Sequence, residues 1–189
     1  NRIDIQTAAR LGIPVANSPG LNVPTVAEFT LALLIALQRH LTVSDREIKA
    51  GQYTRARERF FESGTREVSE ARFGIIGFGE IGRRVAQLVL SLGASVSYFD
   101  LERASEDLER RLGVVFKPLN ELLASCDVIS LHVPLTNRTR GMIGSKEFRL
   151  MPASSLLINT SRGEVVDQNA LAEALEAGRL GGAALDTVY

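Results

Sequence analysis

The chain has 189 residues, 45% of them hydrophobic, with 22 Lys+Arg against 22 Asp+Glu and zero net charge at pH 7. That balance excludes a basic or acidic field of the kind that gathers nucleic acid or an anionic membrane surface, and the length sets one domain as the default, with room for a fragment of another. The single Cys126 excludes an internal disulfide and reads as a reduced packing residue.

In chain order, Asp4 to Arg10 reads as a short helix stopped by Gly12, followed by the strand-like Ile13-Pro14-Val15-Ala16. Residues 17–22 are loop-like and mark a candidate boundary. Thr25 to Leu41 is a helix that is apolar almost all round, which predicts burial between layers or subunits. Glu28 interrupts it; a buried carboxylate needs partners, so Glu28 is expected to hydrogen-bond structurally. His40 reads as a partner of that helix's C-terminus. The stretch Phe29 to Leu37 is too short to span a bilayer, and no signal peptide opens the chain; a soluble cytoplasmic protein without membrane partners is the expectation.

Residues 49–72 are polar, with Arg55, Arg57, Arg59, Arg66 and Arg72 among Glu58, Glu62, Glu67 and Glu70. Mixed signs predict a solvated excursion or a subunit contact rather than a phosphate patch. Tyr53, Phe60 and Phe61 need a surface to cover, which favours the contact.

After residue 72 strand and helix signals alternate. Strands are predicted at 73–77, 95–99, 114–116, 127–131, 155–159 and 182–185, with helices at 81–92, 104–111, 119–124, 145–150 and 167–177. The runs at 127–131 and 155–159 are nearly all apolar, as in a parallel sheet covered on both faces. The pattern predicts a doubly wound, Rossmann-type α/β fold. Asp167 sits where an N-cap belongs and Gly178 where a C-cap glycine belongs.

Gly77-Phe78-Gly79-Glu80-Ile81-Gly82 follows the first of these strands and opens a helix, and Asp100 closes the next strand. Strand, glycine triplet, helix and an acidic residue about 20 positions on form the dinucleotide fingerprint. The three glycines serve a tight turn, close approach of backbone to pyrophosphate, and close helix–strand packing. The helix start offers free N–H groups to the phosphates. Further on, Asn159-Thr160-Ser161-Arg162-Gly163 follows an apolar strand. Ligands of open α/β sheets bind past the strands' carboxyl ends, and arginine's planar fork matches a carboxylate at two points. Arg162 is therefore a candidate carboxylate clamp. No metal-ligating cluster is expected.

Together these segments resemble the NAD-dependent D-2-hydroxyacid dehydrogenase family over nearly the whole chain. The resemblance includes Asn17-Ser18-Pro19-Gly20, Val26-Ala27-Glu28, the glycine triplet, Leu131-His132-Val133-Pro134-Leu135-Thr136 and Met142-Ile143-Gly144. It continues through Asn159 to Asp167 and Gly182-Ala183-Ala184-Leu185-Asp186. The chain is most similar to the branch of phosphoglycerate, glyoxylate and hydroxypyruvate reductases.

The resemblance implies hydride exchange between a nicotinamide and C2 of a small 2-hydroxy or 2-keto acid. It implies Arg162 as the catalytic arginine that holds substrate, with Asn22 on a loop near it. It implies NAD in a cradle of Gly77, Gly79, Glu80, Ile81 and Gly82, with Asp100 on the adenosine ribose and Asp186 on the nicotinamide carboxamide. Val133, Pro134, Thr160 and Ser161 line the cofactor mainly through backbone. A carboxylate at Asp100 repels a 2′-phosphate and favours NAD over NADP, while Arg103 lies nearby and pulls the other way. His132 ends a strand at the ligand edge and tempts as a general base, but the resemblance places it on the cofactor loop. A homodimer is expected.

Departures from the family pattern shape the domain reading. The family's catalytic glutamate and histidine follow later than Tyr189, and Asn1 to Asn17 resembles the tail of the family's split substrate domain. Residues 1–22 are thus expected to be the C-terminal piece of the first half of that domain, and 23–189 the NAD-binding domain, binding NAD(H) alone without turnover. Tyr53 stands where many members carry tryptophan, and Glu70 where many carry glycine. A rival from another class is an NAD-responsive, corepressor-like binding protein, since fold alone does not settle function.

Overall fold

The computed structural model describes residues 3–62 and 67–188; Asn1, Arg2, Arg66 and Tyr189 lie outside them. The chain begins with helices α1 (Ile5–Arg10), α2 (Val23–Gln38), α3 (Leu41–Lys49) and α4 (Tyr53–Glu62). Strand β1 (Arg72–Ile76) then alternates with α5 (Glu80–Ser91), β2 (Ser95–Phe99), α6 (Glu106–Leu112), β3 (Val114–Phe116) and α7 (Leu119–Ser125). It ends with β4 (Val128–Leu131), α8 (Ser145–Leu150), β5 (Leu156–Asn159), α9 (Gln168–Glu176) and β6 (Gly182–Leu185).

The six strands form one sheet in the order β3-β2-β1-β4-β5-β6, every neighbouring pair parallel. This is the doubly wound fold expected, each predicted strand being present within a residue of its limits. Strand alternation divides the core between the two faces. Phe73, Ile75, Val128 and Ile158 point to the side covered by α2 and α5. Ile76, Ile129, Leu131 and Leu157 point to the side holding Leu122, Phe148 and Leu171, from α7, α8 and α9. Cys126 is buried in that second core, as a packing residue, and burial pushes its thiol pKa up.

Register sets up the site. Ile76 pairs with Phe99 and with Leu131, Leu131 with Asn159, and Asn159 with Leu185. The next residue on each strand is therefore in one row at the sheet's carboxyl edge: Asp100, Gly77, His132, Thr160 and Asp186. Backbone bonds extend the ladder into that row, from Gly77 N–H to the Phe99 carbonyl (2.9 Å), His132 N–H to Ile76 (2.7 Å) and Asp186 N–H to Asn159 (3.0 Å). Strand order reverses between β1 and β4, so a crevice opens between Gly77 and His132.

The N-terminal third departs from expectation in several places. Residues 13–16 form no strand, and the sheet runs only through residues 72–185. The helix predicted over 25–41 stops at Gln38, and His40, at φ 50°, starts α3 instead of closing α2. Only one face of α2 is covered: Ala27, Thr30 and Leu34 are buried, while Phe29 and Ile35 stay exposed. Glu28 is exposed too, so it needs no protein partner. The polar excursion contains a helix, α4, pinned to α3 by Arg59 and Arg55 on the buried Glu47. Among the described residues no single helix is long and apolar enough to cross a membrane.

Candidate cofactor and substrate site

Each glycine of the triplet meets a different constraint. Gly77 has φ 94°, and a Cβ there would stand 2.6 Å from the His132 carbonyl oxygen. Gly77 therefore supplies the left-handed turn and lets β1 and β4 approach at the crevice. At Gly82 a Cβ would lie 2.2 Å from the Gly77 carbonyl oxygen, so α5 sits on the turn only because the residue is glycine. A Cβ at Gly79 would meet nothing within 4 Å: that side is open to a ligand, as a pyrophosphate cradle requires.

Gly79 is also the N-cap of α5 and adds no side-chain cap. The first bond closing the helix runs from Arg83 N–H to the Gly79 carbonyl. The N–H groups of Glu80, Ile81 and Gly82 thus have no intrahelical acceptor, and the positive dipole end faces the crevice. The carboxylate of Glu80 turns towards the Gly20 bend, which leaves its backbone N–H as the group it offers at the helix start.

Asp100 is held from two sides. Phe78 N–H donates to its Oδ2 and Leu101 N–H to its Oδ1, both at 2.6 Å. Each oxygen keeps a lone pair for a further donor, such as a ribose hydroxyl. Asp100 and Leu101 border a cavity of about 630 Å³ whose other walls include Gly79, Pro134 and Met142. Its rim at residues 136–139 is braced by Thr139, whose hydroxyl donates to the Pro134 carbonyl at 2.6 Å and accepts from Thr136 N–H at 2.8 Å.

A second cavity, of about 560 Å³, lies on the other side of His132, Val133 and Pro134, which line both. It brings together Asn22, Ile81, Thr160, Ser161 and Arg162. Asn22 is the N-cap of α2 yet makes no side-chain cap bond, which leaves its amide available. Arg162 donates from Nη1 to the Ser161 carbonyl at 2.7 Å and has no carboxylate partner among the described residues. It is an exposed, charged fork with donors to spare.

Two residues that position this loop were not singled out from sequence. Asn159 is fully buried; its Nδ2 donates to the Arg162 carbonyl (2.8 Å), and its Oδ1 accepts from Ser161 N–H (3.0 Å) and Ser161 Oγ (2.7 Å). The signal available was a polar residue ending an apolar strand. Thr30, buried on α2, shares a hydroxyl–hydroxyl bond of 3.1 Å with Thr160; a threonine in mid-run of an apolar helix was the only hint.

His132 shares a hydrogen bond of 2.8 Å between its Nε2 and the Ser130 hydroxyl. Burial pushes its pKa down to about 4, so the ring is neutral at pH 7 and a weak base. Asp186 takes its place in the row, but its exposed side chain lines neither cavity. Among the described residues no group of His, Cys, Asp and Glu could hold a metal ion.

The site's chemistry agrees with its likenesses. A sequence model of the D-isomer specific 2-hydroxyacid dehydrogenase NAD-binding domain matches residues 31–189. A glyoxylate reductase of Korarchaeum cryptofilum is 42% identical over 186 residues, covering 98% of this chain and 55% of that protein. A D-3-phosphoglycerate dehydrogenase of Haemophilus influenzae is 37% identical, covering 98% and 43%. In three dimensions the chain is similar to the D-lactate dehydrogenase of Aquifex aeolicus complexed with NAD and lactic acid. That likeness has a TM-score of 0.84 and 37% identity over 98% of this chain and 54% of the other. The chain spans about half the length of the curated relatives it matches.

Proposed function

The chain belongs to the D-isomer-specific 2-hydroxyacid dehydrogenase family, whose NAD-binding domain it carries, and we propose that the protein interconverts a small D-2-hydroxy acid and its 2-keto acid. The observation that supports this best is the pair of cavities joined at His132–Pro134, one bordered by Asp100 and the other by the unpaired Arg162. A dinucleotide has two ends of matching character. Its adenosine needs an apolar slot with a carboxylate for the ribose, and its nicotinamide end must lie beside the substrate.

Bound there, NAD supplies the hydride acceptor and NADH the donor, at nicotinamide C4. The chain's own groups bind and orient. The α5 N-terminus holds the pyrophosphate against the open side of Gly79, and Asp100 accepts from the ribose hydroxyls. Backbone of Val133, Pro134, Thr160 and Ser161 flanks the nicotinamide end, and Asp186 holds its carboxamide. Arg162 takes the substrate carboxylate and places a donor near the C2 oxygen, where charge builds in the transition state. Asn22 closes the substrate side.

No described residue beside Arg162 makes a good general base: His132 is neutral, engaged by Ser130 and set low in pKa. We therefore place the proton-transfer group in the substrate domain. Residues 1–22 are assigned to the end of that domain's first half and 23–189 to the NAD-binding domain. The 189-residue chain alone then binds NAD(H) without turnover.

The test is NADH consumption by the full-length protein with hydroxypyruvate, glyoxylate, pyruvate and phosphohydroxypyruvate. Turnover on at least one is expected. Tight NADH binding without turnover on any would favour an NAD-responsive binding protein instead.

A further inference from the structure

The loop after β2 carries two groups of opposite preference. Asp100 repels a 2′-phosphate, and Arg103, three residues on, is the kind of neighbour that accommodates one. The structure shows what Arg103 does instead. Its Nε donates to Glu109 Oε1 at 2.9 Å and its Nη2 to Glu109 Oε2 at 2.7 Å, a two-point pairing. The guanidinium also lies over the Phe116 ring, 5.5 Å from its centroid.

Glu109 is anchored in turn. It is buried on α6, and the hydroxyl of the fully buried Tyr98 donates to its Oε1 at 2.6 Å. That hydroxyl accepts from Ala104 N–H at 2.9 Å, and the Tyr98 ring stacks on Phe78 at 3.9 Å between centroids. Arg103, first, and Tyr98 hold the Glu109 carboxyl down to about 2, so the carboxylate is ionised at neutral pH. Phe99, Asp100 and Leu101 line the first cavity and Arg103 does not; two of its N–H donors, on Nε and Nη2, are taken by Glu109.

We propose that Glu109 is a cofactor-specificity residue: by holding Arg103 in a two-point pair, off the lining of the first cavity, it denies the 2′ position a cation, so that Asp100 alone decides for NAD. The proposal rests on the reading of the first cavity as the adenosine site. Exclusion of NADP then has two parts, a repelling carboxylate at the ribose and a withheld guanidinium.

Calorimetric titration of the full-length protein with NAD⁺ and with NADP⁺ tests it. Glu109→Ala should raise NADP⁺ affinity about tenfold, the scale of one charge-assisted guanidinium–phosphate contact, with NAD⁺ affinity unchanged within about twofold. Glu109→Gln keeps an acceptor for Tyr98 and should move the ratio the same way by less. Arg103→Ala alone should change neither affinity, and in the double variant with Glu109→Ala the gain should vanish. Tyr98→Phe, which loosens the anchor but leaves the Arg103–Glu109 pair, should give no gain. Unchanged NADP⁺ affinity in both folded Glu109 variants would overturn the proposal while NAD⁺ binding leaves the adenosine site standing. A gain that survives loss of Arg103 would overturn it as well. Failure of the unaltered protein to bind NAD⁺ would instead remove the reading on which the proposal rests.

Discussion

Residues 72–186 and residues 3–62 are both rich in helix, yet they are stabilised differently. In the first region strands and helices bury one another, and polar groups below the surface are paired: Asp127 is gripped by Arg72 at two points, and the Asn159 side chain makes three bonds, one to Arg162 and two to Ser161. In the second, large apolar side chains face outward, with Leu21 79% exposed, Leu11 68%, Phe61 70% and Phe29 43%. Helix α2 closes the site-bearing region by covering one face of its sheet and by bringing Thr30 to Thr160. The second region otherwise leaves large apolar side chains on several of its helices and loops in solvent. The homodimer expected from the sequence would put its contact on the exposed side of α2, where Phe29 and Ile35 stand.

The largest expected effect bears on the first region's open fork. Arg162→Ala should lower kcat/KM for the keto acid by roughly 10²–10³-fold, the scale of losing one preorganised donor to a developing charge. NADH affinity, measured by titration, should hardly change; an equal loss in both would place Arg162 on the cofactor rather than the substrate.

Packing at the turn comes next. Gly82→Ala puts a methyl 2.2 Å from the Gly77 carbonyl and should destabilise by about 3 kcal/mol, lowering Tm by roughly 10 °C. An unchanged Tm would mean that α5 can shift away from β1 freely. Asn159→Ala strips acceptors and a donor from a buried loop and should cost about 2 kcal/mol. It should raise KM for the keto acid more than for NADH, because the Ser161–Arg162 loop loses its brace.

The pH dependence has a defined sign. His132 titrates at 6.5 ordinarily and about 4 in the fold, so the unfolded chain binds the extra proton first. Its contribution to stability is present above pH 6.5 and lost as pH falls through 4. Unfolding midpoints measured across that window should fall, and His132→Gln should flatten the fall. A slope identical in the variant would assign the loss to other groups.

The smallest effect sharpens the contrast from the other side. Phe29→Ser should change monomer stability by no more than about 0.5 kcal/mol, because the side chain is largely in solvent, yet it should weaken self-association in sedimentation. A stable monomer of the unaltered protein at high concentration would contradict the dimer.

The same contrast explains what was legible in the sequence. The sheet could be read because a buried parallel strand is an unbroken apolar run, and the glycine triplet because each glycine answers a backbone demand. Arg162 and Asp100 stood out as charged residues directly after such runs. Three things depended on distance rather than neighbourhood. That residues 13–16 would lack a strand partner, that α2 would end at Gln38, and that Glu28 would face solvent are decided by what packs against them, which local pattern does not encode. Asn159 and Thr30 were hidden for a related reason. Their value lies in hydrogen bonds made after the loop is folded, and Thr30 meets Thr160 across 130 positions of sequence. The Arg103–Glu109 pairing, six residues apart, is local, yet the sequence does not say which of the nearby acids takes the guanidinium.

The most direct test of the central claim, that the two cavities are the two ends of one dinucleotide site, is a crystal structure of the full-length protein with NAD⁺ and a 2-hydroxy acid. The account predicts adenosine between Asp100 and Pro134, pyrophosphate at Gly79 on the α5 N-terminus, and nicotinamide beside Thr160, with the carboxylate on Arg162. A dinucleotide bound in the reverse sense, or a carboxylate held without Arg162, would contradict it.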